Sequence, residues 1–143
     1  MLYSASFEAD GEGWLVTFPA LPEAITGGAT REEATVNAVD ALEVALLTYA
    51  QDGREMPADI KPAGDVLPIA PSAQVMAKVA LIEAFRQSGL TRVAFAERLG
   101  KRETEVRRML DPYYGTKLPA MEAAMRALGK RFVLSVEPIG KAA

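Results

Sequence analysis

The sequence predicts an α+β chain: an N-terminal antiparallel sheet under one covering helix, then an all-α unit with a short C-terminal strand. Three observations predict it. Apolar residues alternate on either side of a glycine-containing turn in the first eighteen residues, the period of strands. Beyond residue 72 they recur every three or four positions, the period of helices. Charge reverses at the same place: residues 1–72 carry three basic and twelve acidic side chains, and residues 73–143 carry thirteen and seven. The domain boundary is therefore placed near residue 70, giving domains 1–70 and 71–143.

In the first domain, residues 2–9 put Tyr3, Ala5 and Phe7 on one side of a strand. Asp10-Gly11-Glu12-Gly13 is a turn, with glycine available for positive φ. Trp14, Val16 and Phe18 then share a face of a second strand, completing a hairpin. Ala24-Ile25-Thr26, before Gly27-Gly28, reads as a short third strand. Thr30-Arg31-Glu32-Glu33 has the pattern of a capping box, in which hydroxyl and carboxylate each satisfy a backbone donor. The helix it opens runs to about Gln51, with Gly53 as its stop. Ala34, Ala38, Ala41, Leu42, Ala45 and Leu46 form its inner stripe, set to cover the hairpin. Residues 57–71 contain four prolines and a possible edge strand at Val66–Ile69.

In the second domain Ser72 caps a helix to about Gln87, with Val75, Val79, Ile82 and Phe85 facing inward. Thr91 caps a short helix ending at Leu99 and Gly100. Another covers Glu103–Leu110 and stops at Pro112. Thr116 caps a last helix, Lys117–Leu128, with Gly129 as its end. Arg131–Glu137 reads as a strand with Phe132, Leu134 and Val136 on one face, suited to pairing across a dimer.

Composition removes whole classes of chemistry. The chain has no Cys and no His. That excludes thiolate nucleophiles, Ser-His-Asp triads and Cys/His zinc sites. No metal, no cofactor and no catalytic residue is expected, and the chain is expected not to be an enzyme. No run reaches the roughly 18 apolar residues of a membrane span, and Met1–Ser6 lacks the basic start of a secretory signal. A cytoplasmic protein is the expectation.

Residues 90–110 have the spacing of a helix-turn-helix. Ala96 is small where a second helix must cross closely, Gly100 supplies a left-handed turn, and Phe95, Leu99, Val106 and Leu110 form the core between the helices. Glu103, Thr104, Arg107 and Arg108 then project from the front of the second helix, where base edges are read. Lys101, Arg102, Arg92 and Lys117 join them as expected DNA contacts. Arg108 is assigned to base edges and Arg107 more towards phosphate. Two features run against the pattern: Arg102 stands where a capping Ser or Thr is usual, and Glu103 and Glu105 bring negative charge near phosphates. Tyr113 and Tyr114 can touch the DNA backbone or simply pack.

With those residues in view, nearly the whole chain resembles the HicB-type antitoxins of toxin–antitoxin systems. The matching stretches are Tyr3–Phe7, Gly13–Pro22, Thr26–Ala34, Lys78–Arg86, Ala96–Gly100, Val106–Pro112 and Thr116–Val136. The resemblance implies a reduced ribonuclease H-like first domain and a second domain that represses the system's own promoter by binding operator DNA. It also implies a partner, a HicA-type toxin, which is a small basic ribonuclease that cleaves mRNA. Contact with it would fall on the acidic half, with Glu8, Asp10, Glu12 and Trp14 as the expected toxin-binding residues. Glu8 and Asp10 lie where true ribonucleases H place a metal-binding carboxylate, but no full carboxylate set accompanies them. Two half-sites per operator imply a homodimer or homotetramer. The alternative function is a stand-alone transcriptional regulator whose first domain binds a small ligand.

Overall fold

A computed structural model describes residues 1–139. Its elements are β1 (Tyr3–Asp10), β2 (Gly13–Thr17), β3 (Ile25–Gly28), α1 (Arg31–Gln51), β4 (Val66–Ile69), α2 (Ala73–Ser88), α3 (Arg92–Leu99), α4 (Glu103–Met109) and α5 (Leu118–Ala127). The architecture is α+β, as the sequence predicts. The chain divides into two compact units. One joins Met1–Leu46 to Met56–Ser72 and residues 136–139; the other joins Leu47–Glu55 to Ala73–Ser135.

The first unit is built on a four-stranded antiparallel sheet of order β3-β2-β1-β4. Phe7 lies opposite Val16, and Ala9 opposite Trp14. Alternation along β1 therefore sends Tyr3, Ala5 and Phe7 into the core and leaves Ser6, Glu8 and Asp10 on the other face. The Tyr3–Phe7 alternation thus predicts the buried face correctly. β3 runs two residues further than its sequence signal, through Gly27 and Gly28. These glycines are sites of close backbone approach. A Cβ on Gly28 would stand 2.6 Å from the Ala34 nitrogen in the first turn of α1, and one on Gly27 would stand 2.3 Å from the Trp14 carbonyl oxygen. Asn37 of α1 donates to the Gly27 carbonyl at 2.8 Å, tying helix to strand.

The inner stripe of α1 is largely as the sequence predicts, with Ala34, Ala38, Leu42, Ala45 and Leu46 buried. Thr30 Oγ1 accepts from the Glu33 N–H at 3.1 Å. The return bond of the capping box goes to the Ala29 N–H, at 3.5 Å, instead of to Thr30. On the far side of the sheet, Pro68 of β4 lies opposite Ser4. The Tyr3 hydroxyl donates to the Pro57 carbonyl at 2.7 Å. Asp59 accepts from both the N–H and the hydroxyl of Ser4, each at 2.8 Å. Burial works to raise the Asp59 carboxyl, yet the two Ser4 bonds, together with the Ile60 N–H and the Lys61 charge, hold the group below its ordinary value.

In the second unit α2, α3, α4 and α5 share one apolar cluster: Ala77, Leu81, Ala84, Phe95, Ala96, Val106, Met109, Met121, Ala124 and Met125. The Phe85 and Phe95 rings meet at 5.2 Å. Ala77, Leu81 and Ala84 of α2 lie in this cluster; of the predicted stripe, Val79 is fully buried and Phe85 packs against the cluster, whereas Val75 and Ile82 are only half-buried. Apolar residues run around most of α2, so periodicity alone does not select the side. Two further expectations are corrected. Thr116 is not the cap of α5; Lys117 occupies that position without a side-chain cap bond, and Pro119 in the first turn needs no donor partner. Arg131–Glu137 forms no strand, because a strand needs a ladder partner and this segment pairs with none among the described residues.

Candidate functional site

The α3–α4 region follows from local chemistry. Thr91 caps α3, its Oγ1 accepting from the Ala94 N–H at 3.0 Å. Gly100 ends α3 with φ 63°, a left-handed conformation that costs glycine nothing. The Lys101 N–H returns to the Ala96 carbonyl at 3.0 Å and closes the turn. Phe95 and Val106 are fully buried and Ala96 nearly so, which brings the two helices together as their spacing predicts. Met109 is also buried, and it does more in the core than Leu110, which is only partly covered.

Burial of Val106 and Met109 fixes what α4 shows to solvent. At 100° per residue, Thr104 and Arg108 each lie about 160° from Val106, on the front. Glu105 and Arg107 lie about 100° to either side. The flanks neutralise themselves: Arg107 donates to both Glu103 oxygens at 3.0 and 3.1 Å, and Lys101 and Arg102 each stand 3.8 Å from Glu105. Among the described residues no acidic side chain pairs with Arg108, whose guanidinium instead sits 6.0 Å from the centre of the Tyr114 ring. Arg102 caps α4 with no side-chain bond, as its residue type predicts. Arg92 opens α3 and Lys117 precedes α5, both exposed. Lys101, Arg102, Glu103, Thr104, Arg107 and Arg108 thus come together on α4 and the turn before it.

Beside this front lies a notch of about 190 Å³, lined by Lys101, Glu105, Arg108, Met109, Tyr114, Thr116 and Ala120. Beneath it is a residue that pattern reading missed. Lys78 of α2 is only 2% exposed, and its ammonium donates to the Met109 carbonyl and to Thr116 Oγ1, both at 2.7 Å. Gln74, one turn earlier, donates to the Thr116 carbonyl at 2.6 Å. Lys78 therefore holds the end of α4 and the loop leading to α5. Burial pushes its pKa down to about 8, against the opposing pull of the Asp111 carboxylate. The only signal in the sequence was a lysine among apolar residues of a helix.

The structure separates the four residues assigned to the toxin. Glu8 and Asp10 are exposed on the open sheet face, and Glu12 lies in the two-residue turn after β1. Trp14 is on the helix-covered face. The Arg31 guanidinium lies 4.6 Å from the Phe7 ring and 5.1 Å from the Trp14 ring, and it pairs with Asp65 through both carboxylate oxygens. That pairing lowers the Asp65 carboxyl and raises Arg31. Among the described residues no three acidic side chains converge as a metal site would require. No described helix is long and apolar enough to cross a membrane.

Comparison with known proteins agrees across most of the chain. Residues 2–80 match the model of the HicB-like antitoxins of bacterial toxin–antitoxin systems. The chain is 40% identical over 134 residues to Antitoxin HicB 2 of Photorhabdus laumondii, covering 94% of this chain and 95% of that protein. It is 36% identical over 138 residues to Antitoxin HicB 1 of the same organism, covering 96% of this chain and 88% of the relative. Antitoxin HicB of Escherichia coli K12 is 36% identical over 122 residues, 85% of this chain and 88% of its own length. The chain belongs to the HicB-like antitoxin family.

Proposed function

We propose that this protein is a non-enzymatic, cytoplasmic antitoxin that neutralises a HicA-type mRNA-cleaving toxin by direct binding and represses its own operon. The unit built on the sheet takes the toxin. The α3–α4 pair, acting as a helix-turn-helix, takes the operator. The protein works as a homodimer or homotetramer, since each helix pair reads one half-site.

The observation that carries the DNA reading is the charge pattern of α4. Thr104 and Arg108 stand on its front, while the carboxylates of Glu103 and Glu105 are held at the flanks by Arg107, Lys101 and Arg102. An arginine left unpaired at the front of such a helix suits bidentate contact with guanine. Family membership supports the toxin reading, and the exposed carboxylates of Glu8, Asp10 and Glu12 supply charge opposite to that of a basic ribonuclease. Two titrations of the full chain test the proposal: one with a duplex from its own promoter, one with the toxin encoded beside it. Binding to both is expected. E8K/D10K should weaken the toxin complex and leave the operator complex unchanged. Equal affinity for promoter and scrambled duplexes would overturn the operator half, and toxin binding untouched by E8K/D10K would overturn the assigned surface.

A further inference from the structure

The front of α4 is held from behind by a buried amine. α4 has seven residues, Glu103–Met109. A helix that short does not hold itself together in water, so its last turn depends on what is bonded to it from outside. Arg108 lies in that last turn, and Met109 after it presents a carbonyl with no N–H of the helix left to meet it. Lys78 of α2 supplies the donor, its ammonium 2.7 Å from the Met109 oxygen. A cation there also faces the negative end of the helix.

The same nitrogen donates to Thr116 Oγ1 at 2.7 Å, so one atom ties both ends of the loop between α4 and α5. Within that loop the bonds run in series. The Asp111 N–H donates to the Arg108 carbonyl at 3.1 Å, and the Tyr113 N–H to the Asp111 carboxylate at 2.9 Å. The Tyr114 N–H donates to the Asp111 carbonyl at 3.2 Å, and the Thr116 N–H to the Tyr114 carbonyl at 3.0 Å. Gln74, one turn before Lys78, holds the Thr116 carbonyl at 2.6 Å. Tyr114 is thereby set beside Arg108, and the two line the notch at the helix front with Lys101. Lys78, at 2% exposure, is too buried to meet a phosphate or a base edge itself. Its effect on a duplex passes through the residues it holds.

Packing alone does not call for a lysine here. An ammonium taken out of water costs more than an apolar side chain of similar volume, and methionine would fill the space. Methionine cannot bond two acceptors from different segments at once. We propose that Lys78 is a positioning residue for operator recognition: by binding Met109 and Thr116 together it presets Arg108, against Tyr114, for the base edges. The role rests on the operator reading above.

Full-length parent, K78M, T116V, R108A, K78M/R108A and T116V/R108A are titrated with the promoter duplex and with a scrambled duplex of equal length. Each protein's unfolding midpoint is measured alongside. K78M should lose about tenfold on the promoter duplex and less than about twofold on the scrambled one. T116V removes one acceptor and no charge, and should lose about threefold, again on the promoter duplex alone. A weakened fold would instead lower binding to both duplexes alike, and a lost charge would lower both and flatten the salt dependence. In the R108A background neither K78M nor T116V should cost anything further, because the residue they position is gone. Losses that multiply in the double variants, or equal losses on the two duplexes, overturn the proposal. So does discrimination as sharp as the parent's in both single variants. If K78M fails to fold, T116V and T116V/R108A decide by the same criteria. A parent that binds both duplexes equally overturns the operator reading and this role with it; a discriminating parent lets the role fail alone.

Discussion

Arg107 and Glu103 form a two-bond ion pair one helical turn apart on the flank of α4, leaving Arg108 as the uncompensated cation at its front. The two arginines should therefore fail differently. Arg108→Ala should cost on the order of 1–3 kcal/mol on the operator and relax sequence preference. Arg107→Ala should weaken all duplexes similarly and reduce the salt slope by about one unit. Glu103→Gln should tighten binding to every sequence, because it frees Arg107 for phosphate. Titrations at several salt concentrations, beside a scrambled duplex, check all three.

Lys78 gives an unusual pH response. Its pKa is about 8 in the folded chain and ordinarily 10.5, so between those values the unfolded chain holds a proton that the folded one has lost. Stability should therefore rise with pH across that window, by roughly 2–3 kcal/mol for a shift of this size. Lys78→Met should abolish the rise. Urea unfolding of both proteins at pH 7, 8, 9 and 10 measures the difference, and parallel curves would remove Lys78 as the cause.

Glycine substitutions should separate crowding from backbone conformation. Gly28→Ala drives a methyl into the first turn of α1 and should destabilise by about 1–3 kcal/mol or more. Gly11→Ala meets no atom within 4 Å but must hold φ 61°, which should cost about 1–2 kcal/mol. Denaturant midpoints of the two variants give the order.

The Ser4–Asp59 pairing makes an acid-sensitive clasp. Asp59 is held below its ordinary value, so its contribution is present near neutrality and is lost as pH falls below about 4. Asp59→Asn should destabilise the chain at pH 7 by about 1 kcal/mol and by progressively less as the pH is taken down through the acid range. Thermal unfolding across that range checks this.

Much of the fold was legible because local chemistry decided it. Thr91 and Gly100 bound α3 by capping and by left-handed φ, and the Tyr3, Ala5, Phe7 alternation picks out the buried sheet face. What stayed hidden depends on contacts distant in sequence. Thr116 has the residue type of a helix cap but lies 38 positions from Lys78, the partner that claims its hydroxyl. Gly27-Gly28 reads as a strand end until the closeness of Trp14 and Ala34 is known. Arg131–Glu137 has strand periodicity, but no neighbour pairs with it among the described residues. Helical geometry puts Thr104 and Arg108 at the front of α4 once Val106 is inside; the sequence reading placed Glu103 and Arg107 there too, whereas the structure holds these two on the flank as an ion pair.

The margins of the sheet have a consequence for how any protein can approach it. On β4, the bond from the Phe7 N–H to the Asp65 carbonyl sets the inward-facing positions at 65, 67 and 69, so Pro68 turns its nitrogen outward with nothing to donate. On β3, a strand of four residues, the Gly27 carbonyl is already engaged by Asn37. Neither border offers a full row of free donors and acceptors. Lengthening the sheet with a strand from another molecule is thus discouraged at both ends, which protects the unit against edge-to-edge aggregation. A partner is left to bind across a surface of side chains, where single charge reversals such as E8K can be felt.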